Sequence, residues 1–169
     1  IRGKPRVMYG FNGQYPGPLI RVPQNATIIV RFLNRLDQPS AVHWHGVRLE
    51  NASDGAPGVT QAAVAPGGSF VYRVHFRDAG IYWYHPHVRE DIQQALGLYG
   101  NMMVDSPDPA YYSPVNDEQF LMLEDLLENE RGIFPFGKEA ANFAIMGRFG
   151  NVFLINGEPT DNRLATGSK

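Results

Sequence analysis

The sequence predicts an all-β fold, a Greek-key sandwich or small barrel, and three observations carry that expectation. Glycine and proline are frequent, 18 and 13 of 169 residues, and divide the chain into short segments. Several of those segments alternate apolar and polar residues with the two-residue period of a strand. The hydrophobic fraction, 43%, suits one domain with a real core, and two full domains are not expected.

The elements follow in order. Residues 1–25, with the run "YGFNGQYPGPLIRVPQN", read as an extended arm with turns, followed by a strand at 26–34. A second strand is expected at 42–48. The run "ENASDGAPG" at 50–58 is a loop, and "APGGSF" at 65–70 is a turn feeding a strand at 70–76. "GIYWYHPH" and "LYGNMMVDS" supply two more strands, bounded by glycine and by Asp-Ser-Pro. After Pro107 the character changes. "PDPAYYSPVNDE" reads as a linker, "QFLMLEDLL" as an apolar strand, "GKEAANFAIMG" as a short helix, and 151–156 as the last strand. The polar end "EPTDNRLATGSK" stops without a closing element, so the polypeptide is expected to have continued. The start at Ile1, without initiator Met or leader pattern, is that expected of a mature or trimmed product.

Composition narrows function. The net charge is −2 with both signs mixed along the chain, so neither nucleic acid nor an anionic membrane is an expected partner. No apolar run approaches a membrane span. There is no cysteine, which excludes a disulfide framework, a thiolate metal site and a cysteine nucleophile.

Four of the five histidines fall into two His-x-His pairs, His43 and His45 in "HWHG", His85 and His87 in "YHPH". On a strand, residues i and i+2 point to one face, so each pair forms a two-toothed comb. The turn-rich stretch between the pairs can bring their strands together. Four neutral imidazoles on one surface suit copper or zinc, the affinity order favours Cu(II), and two clustered metals could be held. Trp44, Tyr82, Trp83 and Tyr84 surround the pairs and could supply a dry shell. A single such pair could be surface histidine or core filler; two pairs in aromatic settings favour ligands. His75 is the control: in "FVYRVHF" the alternation puts Tyr72, Val74 and Phe76 on one face and His75 on the other between two arginines, where it should be solvated.

The stretch from "FNGQYPGPLIRV" through "HWHG", "DGAPGVTQ", "PGGSFVYRV" and "GIYWYHPHV" to "GLYGNMMV", residues 9–105, resembles the first cupredoxin domain of multicopper oxidases, of which laccases are the best-known members. "MGRFGNVFLINGE" resembles the segment leading into the second domain of bacterial three-domain members. The resemblance implies that 1–106 is a cupredoxin domain and 107–169 a linker and lead-in to a second one. It implies that His43 binds the type 2 copper, His45 and His85 one type 3 copper, and His87 the other. Such a cluster reduces dioxygen to water and is completed by the last cupredoxin domain of the family, from the same polypeptide or another chain. The family's type 1 copper, where phenols or metal ions are oxidised, needs a cysteine that this chain lacks. Asp54 in "SDGAPG" matches an acidic residue near the cluster and is implied as a proton relay; alone, Asp-Gly is also ordinary turn chemistry. Family habit implies a periplasmic or secreted location.

Departures from fungal laccases are visible. Ala62 and Ala63 stand where those enzymes carry Cys-Pro, so their interdomain disulfide cannot form here, and "HPHVREDIQQALGLYG" is closer to bacterial members. The alternative is a stand-alone copper-binding module without turnover. A copper nitrite reductase fragment is disfavoured, because a type 1 cysteine would be expected where this chain reads "YHPHV". Met8, Met102, Met103, Met122 and Met146 are expected to pack in the core. Glu124, Asp125, Glu128 and Glu130 are expected to form a solvated acidic face. Gly10 and Gly13 do not open a helix after a strand, so no nucleotide loop is implied.

Overall fold

Strands dominate the computed structural model, which describes residues 5–160. Six of them build the main body: β1 (Gly17–Pro23), β2 (Thr27–Leu33), β3 (His43–His45), β4 (Ser69–His75), β5 (Gly80–His85) and β6 (Gly100–Asp105). They form a four-stranded sheet in the order β1-β6-β5-β3 and a two-stranded sheet β2-β4. Between the sheets lies one core of Val42, Trp44, Tyr72, Val74, Phe76, Tyr84, Met102 and Val104, with Ile28, Val30 and Phe32 of β2 packed against it. Alternation explains the core directly. Tyr72, Val74 and Phe76 are at most 1% exposed, while Val71 of the same strand is 57% exposed. Each such large side chain withdrawn from water contributes about 1.5–3 kcal/mol.

Three boundaries differ from expectation for local reasons. The supposed arm contains β1, which pairs in parallel with β6, Ile20 opposite Met102 and Val22 opposite Val104. As an edge strand it tolerates the prolines that disguised it. The strand expected at 42–48 stops at His45, because Gly46 turns the chain with φ +80°. The strand expected at 80–87 stops at His85, since Pro86 has no amide hydrogen for the ladder.

A smaller assembly follows. β7 (Leu123–Leu126), β10 (Val152–Ile155) and β11 (Glu158–Pro159) form a sheet in the order β11-β10-β7, and β8 (Glu128–Asn129) pairs with β9 (Gly132–Ile133). Leu126, Val152 and Leu154 form its core, with Met8 and Tyr15 packed on it. The strand expected over 119–127 is confined to Leu123–Leu126; before it, the Asn156 side chain holds the Met122 amide and the Phe120 carbonyl. A short helix α1 (Glu90–Gln93) was not anticipated, and the expected helix at 137–147 is α2 (Ala140–Met146). Residues 161–169, most of the polar end, lie outside the described residues.

Two packing expectations need correction. Met102 and Met103 are buried and Met8 and Met122 half-buried, but Met146, on a helix with no buried residue, is 72% exposed. The acidic face is divided: Asp125 and Glu130 are exposed, whereas Glu128 is buried against Arg6, Nε to Oε1 2.5 Å, and half-buried Glu124 accepts a hydrogen bond from the Tyr15 hydroxyl. Burial raises the Glu124 carboxyl above its ordinary range. Among the described residues no helix is long and apolar enough to cross a membrane.

Candidate metal centre

The antiparallel ladder between β3 and β5 sets the two histidine combs against each other. His43 stands opposite His85, Trp44 opposite Tyr84, and His45 opposite Trp83. One hydrogen-bonded register therefore brings together residues far apart in sequence, with Trp44 and Tyr84 turned into the core on the other face. His87 lies just past the strand end and joins the group. One ligand atom each from His43, His85 and His87 lie within 4.8 Å of one another. Nδ1 of His45 is 3.1 Å from Nε2 of His85.

Hydrogen bonds orient the rings. The Nδ1–H of His43 donates to the Asp54 carbonyl at 2.7 Å, that of His85 to the Pro86 carbonyl at 2.9 Å, and that of His87 to Glu90 Oε1 at 2.5 Å. The Gln94 side-chain amide also lies 2.9 Å from the His85 Nδ1. Acceptor-only partners fix the His43 and His87 tautomers, since a neutral imidazole donates from one nitrogen and accepts at the other; at His85 the Pro86 carbonyl selects Nδ1–H, and the Gln94 amide donates to that same carbonyl at 3.5 Å rather than to the ring. Three rings thus keep Nε2 for a metal, while His45 turns Nδ1 toward His85. Trp83 stacks on His85 with centroids 4.0 Å apart and contacts His45 at 4.9 Å, tightening the group from one side.

Burial decides the protonation state at the centre. His85 is 2% exposed. Desolvation, reinforced by His43, His87 and His45, outweighs its bond to Pro86 and pushes its pKa down to about 4. It is neutral at physiological pH, the form that binds metal. The donor set is four imidazoles, which fits copper or zinc. The 3.1 Å between the His45 and His85 nitrogens suits two ligands of one ion with metal–nitrogen bonds of about 2.0–2.1 Å.

Asp54 lies beside His43, its backbone carbonyl engaged with the ring and its Oδ1 3.6 Å from Nδ1. Gly55 makes this approach possible. An added Cβ there would fall 1.8 Å from the Val42 carbonyl oxygen, and the residue holds φ +79°. His75 stands apart, half-buried, with Nδ1 2.9 Å from Thr27 Oγ1. Sequence reasoning missed Glu90 and Gln94, which contact His87 and His85. Their signal was only a polar run three to seven residues beyond the second comb, with no periodicity to mark which side chains fold back.

Comparison with known proteins supplies the family. The multicopper oxidase family model matches residues 1–109, and the chain belongs to that family. It is similar to copper resistance protein A of Pseudomonas syringae pv. tomato, 35% identical over 130 residues that cover 77% of this chain and 21% of that protein. It is similar to multicopper oxidase MmcO of Mycobacterium tuberculosis, 42% identical over 116 residues, 68% of this chain and 22% of that protein. A crystal structure of a multi-copper oxidase from Pseudomonas thermotolerans matches with a TM-score of 0.81 and 36% identity, covering 90% of this chain and 36% of that one. The fold is the all-β cupredoxin type, and family membership implies copper. The chain spans about a fifth of the length of these two relatives.

Proposed function

We propose that this chain is the N-terminal cupredoxin domain of a laccase-like multicopper oxidase, contributing half of the histidine ligands of a trinuclear copper cluster. The observation that carries the reading is the convergence of four imidazoles from two facing combs, with His45 and His85 nitrogens 3.1 Å apart. In this reading His43 holds the type 2 copper, His45 and His85 share one type 3 copper, and His87 serves the other. When bound, the cluster supplies the electrons that take dioxygen to water, while a type 1 copper outside this cysteine-free chain oxidises phenols or metal ions.

The chain's own residues do the positioning. The Asp54 carbonyl fixes the His43 ring, and its half-exposed carboxylate beside Nδ1 is suited to passing protons from solvent toward reduced oxygen. Residues 1–106 form the cupredoxin domain in this proposal, and 107–169 lead into a second. Further cupredoxin domains, from the same polypeptide or another chain, supply the remaining ligands. Copper resistance protein A and the laccases among the relatives favour a periplasmic or secreted location.

Copper analysis of a His87→Ala variant tests the ligand assignment. Lower copper content with an intact fold is expected, and unchanged content would overturn the reading. Oxygen uptake by the copper-loaded 169-residue chain tests the division of labour. No uptake with a phenol or Cu(I) is expected, and steady four-electron uptake would refute the shared cluster.

A further inference from the structure

We infer that Glu90 is a positioning residue for His87, holding its ring so that Nε2 rather than Nδ1 faces the copper; this rests on the ligand assignment proposed above. Glu90 opens α1, and its Oε1 accepts the His87 Nδ1–H at 2.5 Å. Arg89, with φ +43° in the left-handed region, turns the chain sharply enough for Glu90 to fold back over the imidazole three residues earlier.

The helix carrying Glu90 is anchored rather than free. Gln93 is fully buried; its Nε2 donates to the Pro39 carbonyl at 2.9 Å and its Oε1 accepts the Ser40 hydroxyl at 2.8 Å. Pro39 and Ser40 lie just before β3, so one buried amide ties the second comb's supports to the strand of the first. A neutral imidazole in water favours the Nε2–H form, which would present a proton to the metal. A carboxylate fixed at Nδ1 reverses that preference and raises the basicity of the other nitrogen. His43 and His85 obtain the same result from backbone carbonyls. His87 lies beyond the strand end and obtains it from a side chain, so its orientation depends on one replaceable residue.

Nitrogen-15 NMR of the metal-free protein reads the tautomer directly. The Nδ1–H form of His87 is expected in the parent and the Nε2–H form in Glu90→Ala. Competition titration with copper should show Glu90→Ala weakened about 10–100-fold. Glu90→Gln keeps an acceptor oxygen and should stay within about threefold of the parent. An unchanged tautomer or unchanged affinity in Glu90→Ala overturns the inference, as does a Glu90→Gln variant as weak as Glu90→Ala. His87→Ala measured alongside separates the two levels: if it keeps its copper, the ligand assignment itself has failed.

Discussion

Replacing Gly55 by alanine should damage the proposed copper site without touching a proposed ligand, and Gly58 provides the matched control. Both glycines hold a left-handed backbone, φ +79° and +81°. At either one an alanine costs about 1–2 kcal/mol from crowding of Cβ against its own carbonyl. At Gly58 nothing lies within 4 Å of the added carbon, so the cost ends there. At Gly55 the carbon would fall 1.8 Å from the Val42 oxygen and 3.0 Å from the His43 nitrogen, backbone atoms that cannot swing aside. The loop must withdraw by more than an ångström. That lengthens the 2.7 Å bond from His43 Nδ1 to the Asp54 carbonyl beyond hydrogen-bonding range. Overpacking and the lost bond bring the total for Gly55→Ala to about 3–6 kcal/mol. Copper affinity should fall about 10–100-fold, as when the outer partner of a ligating histidine is lost. Denaturant unfolding and copper competition titration on both variants provide the comparison. If Gly55→Ala matches Gly58→Ala in both, the close approach of the loop to β3 does not hold His43.

Three further predictions concern the supports of the site and the fold. Tyr72→Phe removes the hydroxyl that accepts the Val42 amide hydrogen at 2.9 Å inside the core, and should cost about 1–3 kcal/mol; a loss below about 0.5 kcal/mol in chemical denaturation would contradict that. Met102→Ala, at a site with no exposure, should cost about 2–5 kcal/mol, while Met146→Ala, 72% exposed, should stay within about 0.5; equal effects would undo the packing assignment. Glu124 titrates above its unfolded value because burial disfavours its charge, so it contributes stability at low pH that is lost as pH rises through the folded value. The stability of Glu124→Gln relative to the parent should therefore rise across a window that opens near 4.5, and a flat difference from acid to neutral pH would refute the burial argument.

What the sequence determined by itself were the features that depend on local period. Alternation in "FVYRVHF" put Tyr72, Val74 and Phe76 in the core, and the spacing of His43 and His45 put that pair on one face of β3, whereas His87 lies past the end of β5, where the strand period no longer applies. Those readings hold because side-chain direction in a strand depends only on position within it. Tertiary structure decided whatever depends on which distant segments meet. The parallel pairing of β1 with β6 converted a proline-rich arm into an edge strand. Arg6 and Tyr15 drew Glu128 and Glu124 inward from an acidic run that looked solvated, while Met146 was left outside on α2. At the candidate metal centre, the histidines and their spacing were visible in the sequence, but the register of His43 with His85, the approach of Asp54 and the fold-back of Glu90 were not. Each of these is a contact between segments whose relative placement is set by the packed core and by single backbone conformations, such as those at Gly55 and Arg89, and no local pattern encodes it.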